Sequence, residues 1–391
     1  MMTERLRIIV TGLIAQYPLG GVSWDYLQYP LGLFRLGHDV FYFEDTGQWP
    51  YDPHTGGLGK EPHPNVHYLR RVMARAGLED RWAYRFPWRS QWFGMDDTTR
   101  GNVIKSADLL INVSGTLGRL DDYRRVSKLA YVDTDPVFTQ IKLARGQTNF
   151  NKLVNGHDVH FSFGEALPGN APTTGHQWHA TRQPIVLSEW EASTSCRPVF
   201  TTVMNWTSYK PLTHEGKSYG QKDVEFMHFL NLPLKAQPSI LEIAVNAGKT
   251  RRTPYKQLRN SGWRVVSPEK TCGDLDTYRD YIQSSRAEWS VAKNGYVVGR
   301  AGWFSCRSAC YLAAARPVIV QDTGFGKSLP IGQGILPFST MDEAVEAIHE
   351  VEGSYNRHST AARAIAEAYF DSDRVLASLI DTAMSSSCRS S

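Results

Sequence analysis

The chain has few of the features that mark secreted, metal-binding or membrane proteins. Its 391 residues include five cysteines, an odd number with no Cys-x-x-Cys pair, which argues against a disulfide framework or a zinc site. No apolar run approaches the roughly 20 residues that a membrane-spanning helix needs. Met1 to Val10 runs from charged side chains directly into an apolar strand pattern, unlike a signal peptide. We therefore expect a cytoplasmic protein without a membrane span.

Neither sign of charge dominates the sequence. There are 43 Lys and Arg against 39 Asp and Glu, a net charge of +4. This excess suits a small anionic ligand, but it is too weak and too scattered to favour nucleic-acid binding. The 41% hydrophobic and 21% charged fractions are those of a globular protein. The length predicts two domains, which we place at residues 1–190 and 191–370, followed by a helix and tail at 371–391.

Strand and helix patterns alternate along both halves, which predicts an α/β architecture. The first half opens with a strand at Leu6 to Thr11, a helix at Ser23 to Leu36 and a strand at Asp39 to Glu44. In the second half we predict strands at Val199 to Met204, Glu225 to Leu230, Trp263 to Val266 and Ala292 to Val298, and helices at Ser239 to Ala247 and Tyr278 to Ser284. Because no Gly-x-Gly-x-x-Gly follows either opening strand, a dinucleotide oxidoreductase is disfavoured.

The most informative segment runs from Gly302 to Phe325. A Gly-Trp turn precedes a run of helix formers, which Pro317 ends before the strand Val318 to Val320. A helix N-terminus carries unsatisfied N–H groups and partial positive charge, so it can bind an anion. Arg307, with a serine on either side of it at Ser305 and Ser308, adds further donors suited to phosphate. The pattern predicts part of a phosphate-containing ligand site.

This segment resembles the donor-binding region of group 1-like glycosyltransferases with the GT-B fold, in which two Rossmann-like domains face each other across a cleft. Gly302-Trp303 and the run from Ala313 to Val318 follow that outline, and the Gly20-Gly21 loop before the first helix resembles the opening of these enzymes. The resemblance implies a final helix that crosses back onto the first domain. The acidic residue that usually holds the donor ribose is replaced here by Cys310, so the ribose must be recognised differently.

The resemblance further implies a donor site for a nucleotide-diphosphate sugar, which is a co-substrate and not a cofactor. Metal-free enzymes of this kind offset the charge of the leaving diphosphate with helix dipoles and basic side chains, so we expect a metal-independent enzyme. The candidate donor-binding residues are Gly20, Gly21, Lys210, Lys249, Arg251, Arg300, Gly302, Trp303, Ser305, Arg307, Ser308, Asp322, Thr323 and Gly324. Two alternatives stay open: the segment with Lys249 and Arg251 fits a solvated turn, and Asp322 fits an Asx-turn cap ahead of Gly324.

An inverting transfer needs a general base to deprotonate the attacking hydroxyl. Asp25 follows the Gly-Gly loop and is the first candidate, with Asp133 and Asp135 next because they follow a predicted strand. The other interpretations are a helix-start residue favoured by the dipole for Asp25 and helix caps for the other two. A retaining transfer needs no such base, and the sequence leaves both outcomes open.

Trp49, Trp88 and Trp92 are the candidate acceptor-binding residues, because flat apolar faces bind sugars and rings well. Core packing explains such tryptophans equally well. The acceptor itself stays unidentified, with nucleic acid the less favoured choice, and the protein is a monomer or a homodimer. Competing functions are a nucleotide-sugar epimerase or hydrolase on the same scaffold, and a binding protein without catalytic activity.

Overall fold

The computed structural model describes residues 5–53, 55–193, 196–246 and 253–386. The first half contains β1 (Arg7–Thr11), α1 (Gly20–Arg35), β2 (Asp39–Glu44), β3 (Tyr51–Asp52), β4 (Gly57–Leu58), α2 (His63–Arg75), β5 (Trp82–Phe86), β6 (Gln91–Gly94), α3 (Asp97–Ser106), β7 (Leu109–Val113), β8 (Lys128–Asp133), α4 (Phe138–Ala144), α5 (Thr148–Asn155), β9 (Val159–Ser162) and β10 (Trp178–Ala180).

The second half continues the alternation. It contains β11 (Val199–Asn205), β12 (Leu212–His214), β13 (Lys217–Tyr219), α6 (Lys222–His228), α7 (Leu232–Lys235), β14 (Ile240–Asn246), α8 (Tyr255–Asn260), β15 (Arg264–Val266), α9 (Pro268–Cys272), α10 (Leu275–Gln283), β16 (Ala287–Ser290), α11 (Asn294–Gly299), α12 (Cys306–Ala313), β17 (Val318–Gln321), β18 (Ile335–Phe338), α13 (Met341–Gly353), α14 (Tyr355–Ile365) and α15 (Ser372–Ser385).

The first half forms an eight-stranded sheet in the order β10-β9-β8-β7-β1-β2-β5-β6. The β5–β6 pair is antiparallel and the other neighbours are parallel. Helices on both faces explain why the strands read as continuous apolar runs: Ile8, Ile9 and Val10 of the central β1 are fully buried. The short pair β3–β4 forms a separate antiparallel hairpin.

The second half forms a six-stranded parallel sheet in the order β15-β14-β11-β16-β17-β18. This is the Rossmann strand order. From β11 the chain adds β14 and β15 on one side, and it then returns to add β16, β17 and β18 on the other side, so the switch point lies between β11 and β16. The first sheet reverses in the same way between β1 and β7. Open α/β sheets bind their ligands outside the carboxyl ends of the strands at such a reversal, so each domain has a preferred binding edge.

Helices α1, α10 and α15 join the two halves. The final helix α15 packs on α1, where a Cβ at Gly32 would lie 2.6 Å from Leu376 Cδ1, and this confirms the predicted return to the first domain. On another side of α1, Trp24 Nε1 donates to the carbonyl oxygen of Leu275 at 2.9 Å. The predicted domain boundary at residue 190 falls in the connection between Ala180 and Val199.

Three predictions in the second half are wrong. Residues predicted as a strand from Glu225 lie in and after helix α6, the predicted helix from Ser239 is strand β14, and the predicted strand from Ala292 contains helix α11. The sequence of β14 is a short apolar run, which is compatible with a buried helix or a buried strand. Pairing with β11 on one side and β15 on the other decides the outcome. None of the helices in the described ranges is long and apolar enough to span a bilayer.

Candidate functional site

A cavity of about 850 Å³ lies between the two sheets, at the carboxyl ends of their strands. The first domain contributes Ser114, which follows β7, and Thr134, which follows β8. The second domain contributes Asn205 and Asn246, the last residues of β11 and β14. The cavity therefore occupies the binding edge of both sheets at once, and its volume fits a ligand of nucleotide-sugar size.

Four basic side chains line this cavity: Arg259 of α8 and three others, which we call the cation triad. Lys222 is the first residue of α6, Lys293 is the N-cap of α11, and Arg307 is the second residue of α12. Burial, together with the positive charges of Arg307 and Lys293, holds the pKa of Lys222 well below its ordinary value. An anion bound among the three side chains would relieve this mutual repulsion.

Two members of the triad already have carboxylate partners. Arg307 Nε lies 2.6 Å from Glu288 Oε1, and Lys293 Nζ lies 2.7 Å from Asp135 Oδ1. Lys222 forms no hydrogen bond or ion pair within the described part of the chain. Because one cation is left without a direct partner, this end of the cavity favours an anionic ligand.

Asp25 lines the cavity from the first domain. Helix α1 begins at Gly20, so Asp25 lies in its second turn, beyond the helix-start position at which the dipole would favour it. Burial raises the pKa of the Asp25 carboxyl to about 7, although the positive charge of Arg307 works to lower it. A carboxyl that titrates near neutral pH is suited to general acid–base chemistry.

The Gly302–Phe325 segment brings part of its predicted site to the cavity. Ser305 is the N-cap of α12, its hydroxyl makes no capping bond, and its side chain lines the cavity with Trp303. The Trp303 ring stacks on Tyr296 with centroids 4.1 Å apart. Ser308, in contrast, is fully buried and borders a small neighbouring cavity instead of the main one.

The loop after β17 is hydrogen-bonded to the Trp303 backbone and to Arg300. Asp322 Oδ1 accepts from the Gly324 N–H at 2.7 Å, which is an Asx turn, and Asp322 Oδ2 accepts from Arg300 at 2.8 Å. The Thr323 hydroxyl donates to the carbonyl oxygen of Trp303. Arg300, Asp322, Thr323 and Gly324 all lie outside the lining of the main cavity. Of the two interpretations of Asp322, the structure therefore shows the Asx turn. The four residues stabilise the loop beside Trp303.

Two of the predicted donor glycines have a different role from the one expected. A Cβ at Gly20 would lie 2.1 Å from the carbonyl oxygen of Asp274, and one at Gly302, whose φ is +80°, would lie 2.8 Å from the backbone nitrogen of Ala166. Both contacts cross from one domain to the other, so these glycines allow the domains to approach closely. Gly21 does line the cavity.

Asp133 and Asp135 are separated by the fold. Asp133 is buried away from the cavity and accepts hydrogen bonds from the side chains of Thr139, Ser162 and Gln140. It holds the loop after β8 and does not line the cavity. Asp135 faces the second domain and binds Lys293. In the described ranges no group of three or more His, Cys, Asp or Glu side chains is arranged to hold a metal ion.

The remaining candidates lie elsewhere. Lys210 is exposed in the loop after β11, outside the cavity lining, and Lys249 and Arg251 lie outside the described residues. Trp49 and Trp88 are 37% and 58% exposed and pack together at 6.3 Å on the outside of the first domain. Trp92 is held by Arg100 at 4.1 Å. The structure does not bring these three tryptophans into the cavity.

Known structures share this two-domain arrangement. An α-glucosyltransferase in complex with UDP and DNA has a TM-score of 0.54 and 12% identity, with 98% of this chain and 100% of that chain covered. HepE from Anabaena, in complex with UDP and glucose, has a TM-score of 0.58 and 10% identity, with coverage of 97% and 100%. The fold is GT-B.

A third structure with this GT-B arrangement is sucrose-phosphate synthase from Thermosynechococcus elongatus, with a TM-score of 0.54 and 11% identity over 98% of this chain and 100% of that chain. No protein-family model matches the sequence, and no curated protein matches it. At 10–12% identity the comparison establishes the fold and leaves the reaction to be argued from the site.

Several residues of the GT-B cleft were missed by sequence reasoning. Lys222 and Lys293 stand at the starts of α6 and α11, which were predicted as strands, so the sequence did not indicate that either lysine lies at the cleft. Glu269, at the start of α9, is the second carboxylate that lines the cavity beside Asp25. Cys310 lies outside this lining, with Gln28 Nε2 3.7 Å from its Sγ, because its helix face is turned toward α1.

Proposed function

We propose that this protein is a glycosyltransferase that moves a sugar from a nucleotide-diphosphate donor to an acceptor hydroxyl. The observation that carries the proposal is the cation triad, which faces Asp25 across a cavity at the binding edges of both GT-B domains. One similar structure is an α-glucosyltransferase in complex with UDP, another is a sucrose-phosphate synthase, and the HepE structure contains UDP and glucose. Their chemistry supports the same class here.

The donor diphosphate is placed at the cation triad in this proposal. When the bond between the anomeric carbon and the phosphate oxygen breaks, negative charge grows on the leaving diphosphate. Lys222, which has no carboxylate partner among the described residues, stabilises that charge together with the N-terminal end of α12. Ser305 offers an uncommitted hydroxyl at the same helix end.

Asp25 is the proposed general base of an inverting transfer. Its carboxylate takes the proton of the acceptor hydroxyl while the oxygen attacks the anomeric carbon from the side opposite the diphosphate. The raised pKa makes the carboxylate a stronger base than an exposed aspartate, which favours proton abstraction near neutral pH. The anomeric configuration of the product, read by NMR, tests this step, because retention would remove the need for a base.

A nucleotide screen followed by donor turnover tests the function. Thermal unfolding is measured with UDP, GDP, dTDP and ADP, and a true ligand at about 100 times its Kd should stabilise the protein by about 2.7 kcal/mol. The matching nucleotide sugars are then incubated with the protein, with and without a panel of hydroxyl acceptors. Transfer to an acceptor supports the proposal. Donor breakdown that no acceptor diverts indicates a hydrolase or epimerase, and binding without turnover indicates an inactive binding protein.

A further inference from the structure

The ammonium group of Lys293 is enclosed by three aromatic rings and one carboxylate. Its Nζ lies 5.2 Å from the centroid of Phe138, 4.7 Å from that of Tyr209 and 5.2 Å from that of Tyr296. It donates to Asp135 Oδ1 at 2.7 Å and to the Tyr209 hydroxyl at 3.0 Å. We call these four partners the lysine cage. Such a cage stabilises a charged ammonium through cation–π attraction and an ion pair.

The lysine cage is assembled from both domains. Asp135 and Phe138 belong to the first domain, at the end of β8 and the start of α4. Lys293, Tyr209 and Tyr296 belong to the second domain, where Lys293 and Tyr296 also line the cavity. The position of this cation therefore depends on contact between the two domains across the cleft.

Both oxygens of the Asp135 carboxylate accept hydrogen bonds in the cage. The Tyr209 hydroxyl donates to Oδ2 at 2.6 Å, and the Tyr296 hydroxyl donates to Oδ1, which also accepts from Lys293. Burial works to raise the pKa of Asp135, but Lys293 and the two hydroxyls outweigh it and hold the pKa below its ordinary value. Asp135 is therefore an ionised hydrogen-bond acceptor whose two oxygens are both bound by residues of the second domain.

An ammonium group has three N–H donors. The cage uses two of those on Lys293, one for Asp135 and one for Tyr209, which leaves the third for a ligand in the cavity. The rings and the carboxylate fix the direction of that third donor, because they surround the group on its other sides.

We propose that Asp135 is a positioning residue of the donor site: from the first domain it holds Lys293 of the second domain in the orientation that binds the donor diphosphate. The inference rests on the proposed function. It couples the donor site to closure of the cleft, because separation of the domains withdraws the carboxylate and releases the lysine.

Calorimetry of UDP binding to the parent and to Asp135→Asn tests the inference. The direction of the change in UDP affinity distinguishes the possible roles of Asp135. Asparagine keeps the size but weakens the hold on Lys293, and we expect UDP affinity to fall about tenfold, the loss of one charge-assisted hydrogen bond. If Asp135 acted only as a negative charge near the diphosphate, its removal would instead strengthen UDP binding. Unchanged or tighter binding overturns the proposal.

A double-mutant cycle separates positioning from a general structural effect. In a Lys293→Met background the Asp135→Asn change has no lysine left to misplace, so we expect it to have no further effect on UDP affinity. A further loss in that background equal to the loss in the parent overturns the proposal. Asp97→Asn, at the exposed start of α3, is the matched control and should leave UDP affinity unchanged.

The failure of the proposed function has a separate signature. Parent protein that binds neither the four nucleoside diphosphates nor pyrophosphate overturns the donor site itself and this inference with it. Parent protein that binds UDP while Asp135→Asn binds it equally well overturns only the role of Asp135.

Discussion

The two walls of the cleft are built from the same strand–loop–helix unit and carry different chemistry. The second-domain wall presents the cation triad and the start of α12, whereas the first-domain wall presents Asp25 with hydroxyl side chains such as Ser114 and Thr134. In both domains the groups stand after strands or in the first two turns of helices, and the sheets behind them are apolar. The difference between the walls therefore resides in the loops and helix starts, which can change without disturbing the sheets.

The charges of the two walls are also maintained differently. On the second-domain wall Arg307 is paired with Glu288, whose side chain is fully buried. On the first-domain wall Asp25 forms no ion pair within the described ranges, and burial raises its pKa although the positive charge of Arg307 works to lower it. A paired cation is held in one place and contributes to stability, while a carboxyl with a raised pKa is poised to exchange a proton. Five predictions test this contrast.

Asp25→Asn should give the largest effect, on the first-domain wall. Loss of a general base lowers kcat by about 10²–10⁴ while nucleotide binding stays nearly intact. In the parent, activity should fall as the pH drops below about 7, because protonation of Asp25 removes the base. Steady-state kinetics between pH 5 and 9 check both points. A variant with the parental kcat and the parental pH profile would show that Asp25 lines the cavity without acting as the general base.

Arg307→Met should give the next largest effect, on stability. Removal of the guanidinium leaves Glu288 buried without its partner, which typically costs about 3–5 kcal/mol. Chemical denaturation measures the loss. The double variant Arg307→Met with Glu288→Gln should recover most of the stability while nucleotide binding stays weak. A single variant as stable as the parent would show that the pair does not hold this wall together.

Lys222→Met should weaken nucleotide diphosphate binding without weakening the fold. Lys222 has no ion pair in the described ranges and its charge is disfavoured by burial, so its replacement leaves no buried carboxylate without a partner. The loss of one charged hydrogen bond costs about 1.5–3 kcal/mol of binding, and calorimetry with UDP and uridine should show it for UDP alone. Lys210→Met is the matched control, since Lys210 is exposed outside the cavity. Equal losses of UDP affinity in both variants would contradict a specific role of Lys222 and would indicate that the loop after β11 also contributes to phosphate binding.

Asp25→Asn should also stabilise the protein above neutral pH. The pKa of Asp25 is raised from 3.8 to about 7, so between these values the folded state binds more protons than the unfolded state. Stability linked to this group is therefore present at low pH and is lost as the pH rises through 7. A shift of about three pKa units corresponds to at most about 4 kcal/mol, so we expect the variant to exceed the parent by up to this amount at pH 8 and to lie close to it near pH 4. Parallel thermal melts at both values test the sign.

Chelation should give the smallest effect of all. The cation triad is proposed to take the place that a divalent ion would hold at the diphosphate, so we expect turnover to survive EDTA. Assays with EDTA, and with Mg²⁺ or Mn²⁺ added back, measure this directly. Activity that disappears with EDTA and returns with the metal would contradict metal independence and weaken the role given to Lys222.

The Gly302–Phe325 segment illustrates how much of the site could be predicted. Its order of turn, helix and strand is local, and the structure has α12 and β17 where the pattern puts them, with Trp303, Ser305 and Arg307 at the cavity. The pattern could not separate Ser305 from Ser308. Residues three positions apart lie near the same face of a helix, so only the packing of α12 identifies Ser308 as the buried serine and Ser305 as the one at the cavity.

The predicted catalytic carboxylates show the same limit. Asp133 and Asp135 stand two residues apart after one strand, yet Asp133 is enclosed by first-domain side chains and Asp135 reaches a lysine 158 positions away. The second-domain cations Lys222 and Lys293 were missed because short apolar stretches beside them fit either a strand or a helix. Their placement depends on sheet pairing and domain contact, which involve residues far apart in the chain.

The sequence by itself determined the α/β alternation, the strands β1, β2, β8 and β11, and the helix α12 with the strand β17 that follows it. These follow from apolar runs, glycine and proline positions and helix-start residues, all of which act over a few neighbouring positions. Tertiary structure alone decided which charges meet. Arg307 and Glu288, Lys293 and Asp135, and Asp25 with its raised pKa acquire their roles from burial and from contacts across the chain. Burial weakens the screening of charge by water, so the electrostatics of the cleft exist only once both domains are in place.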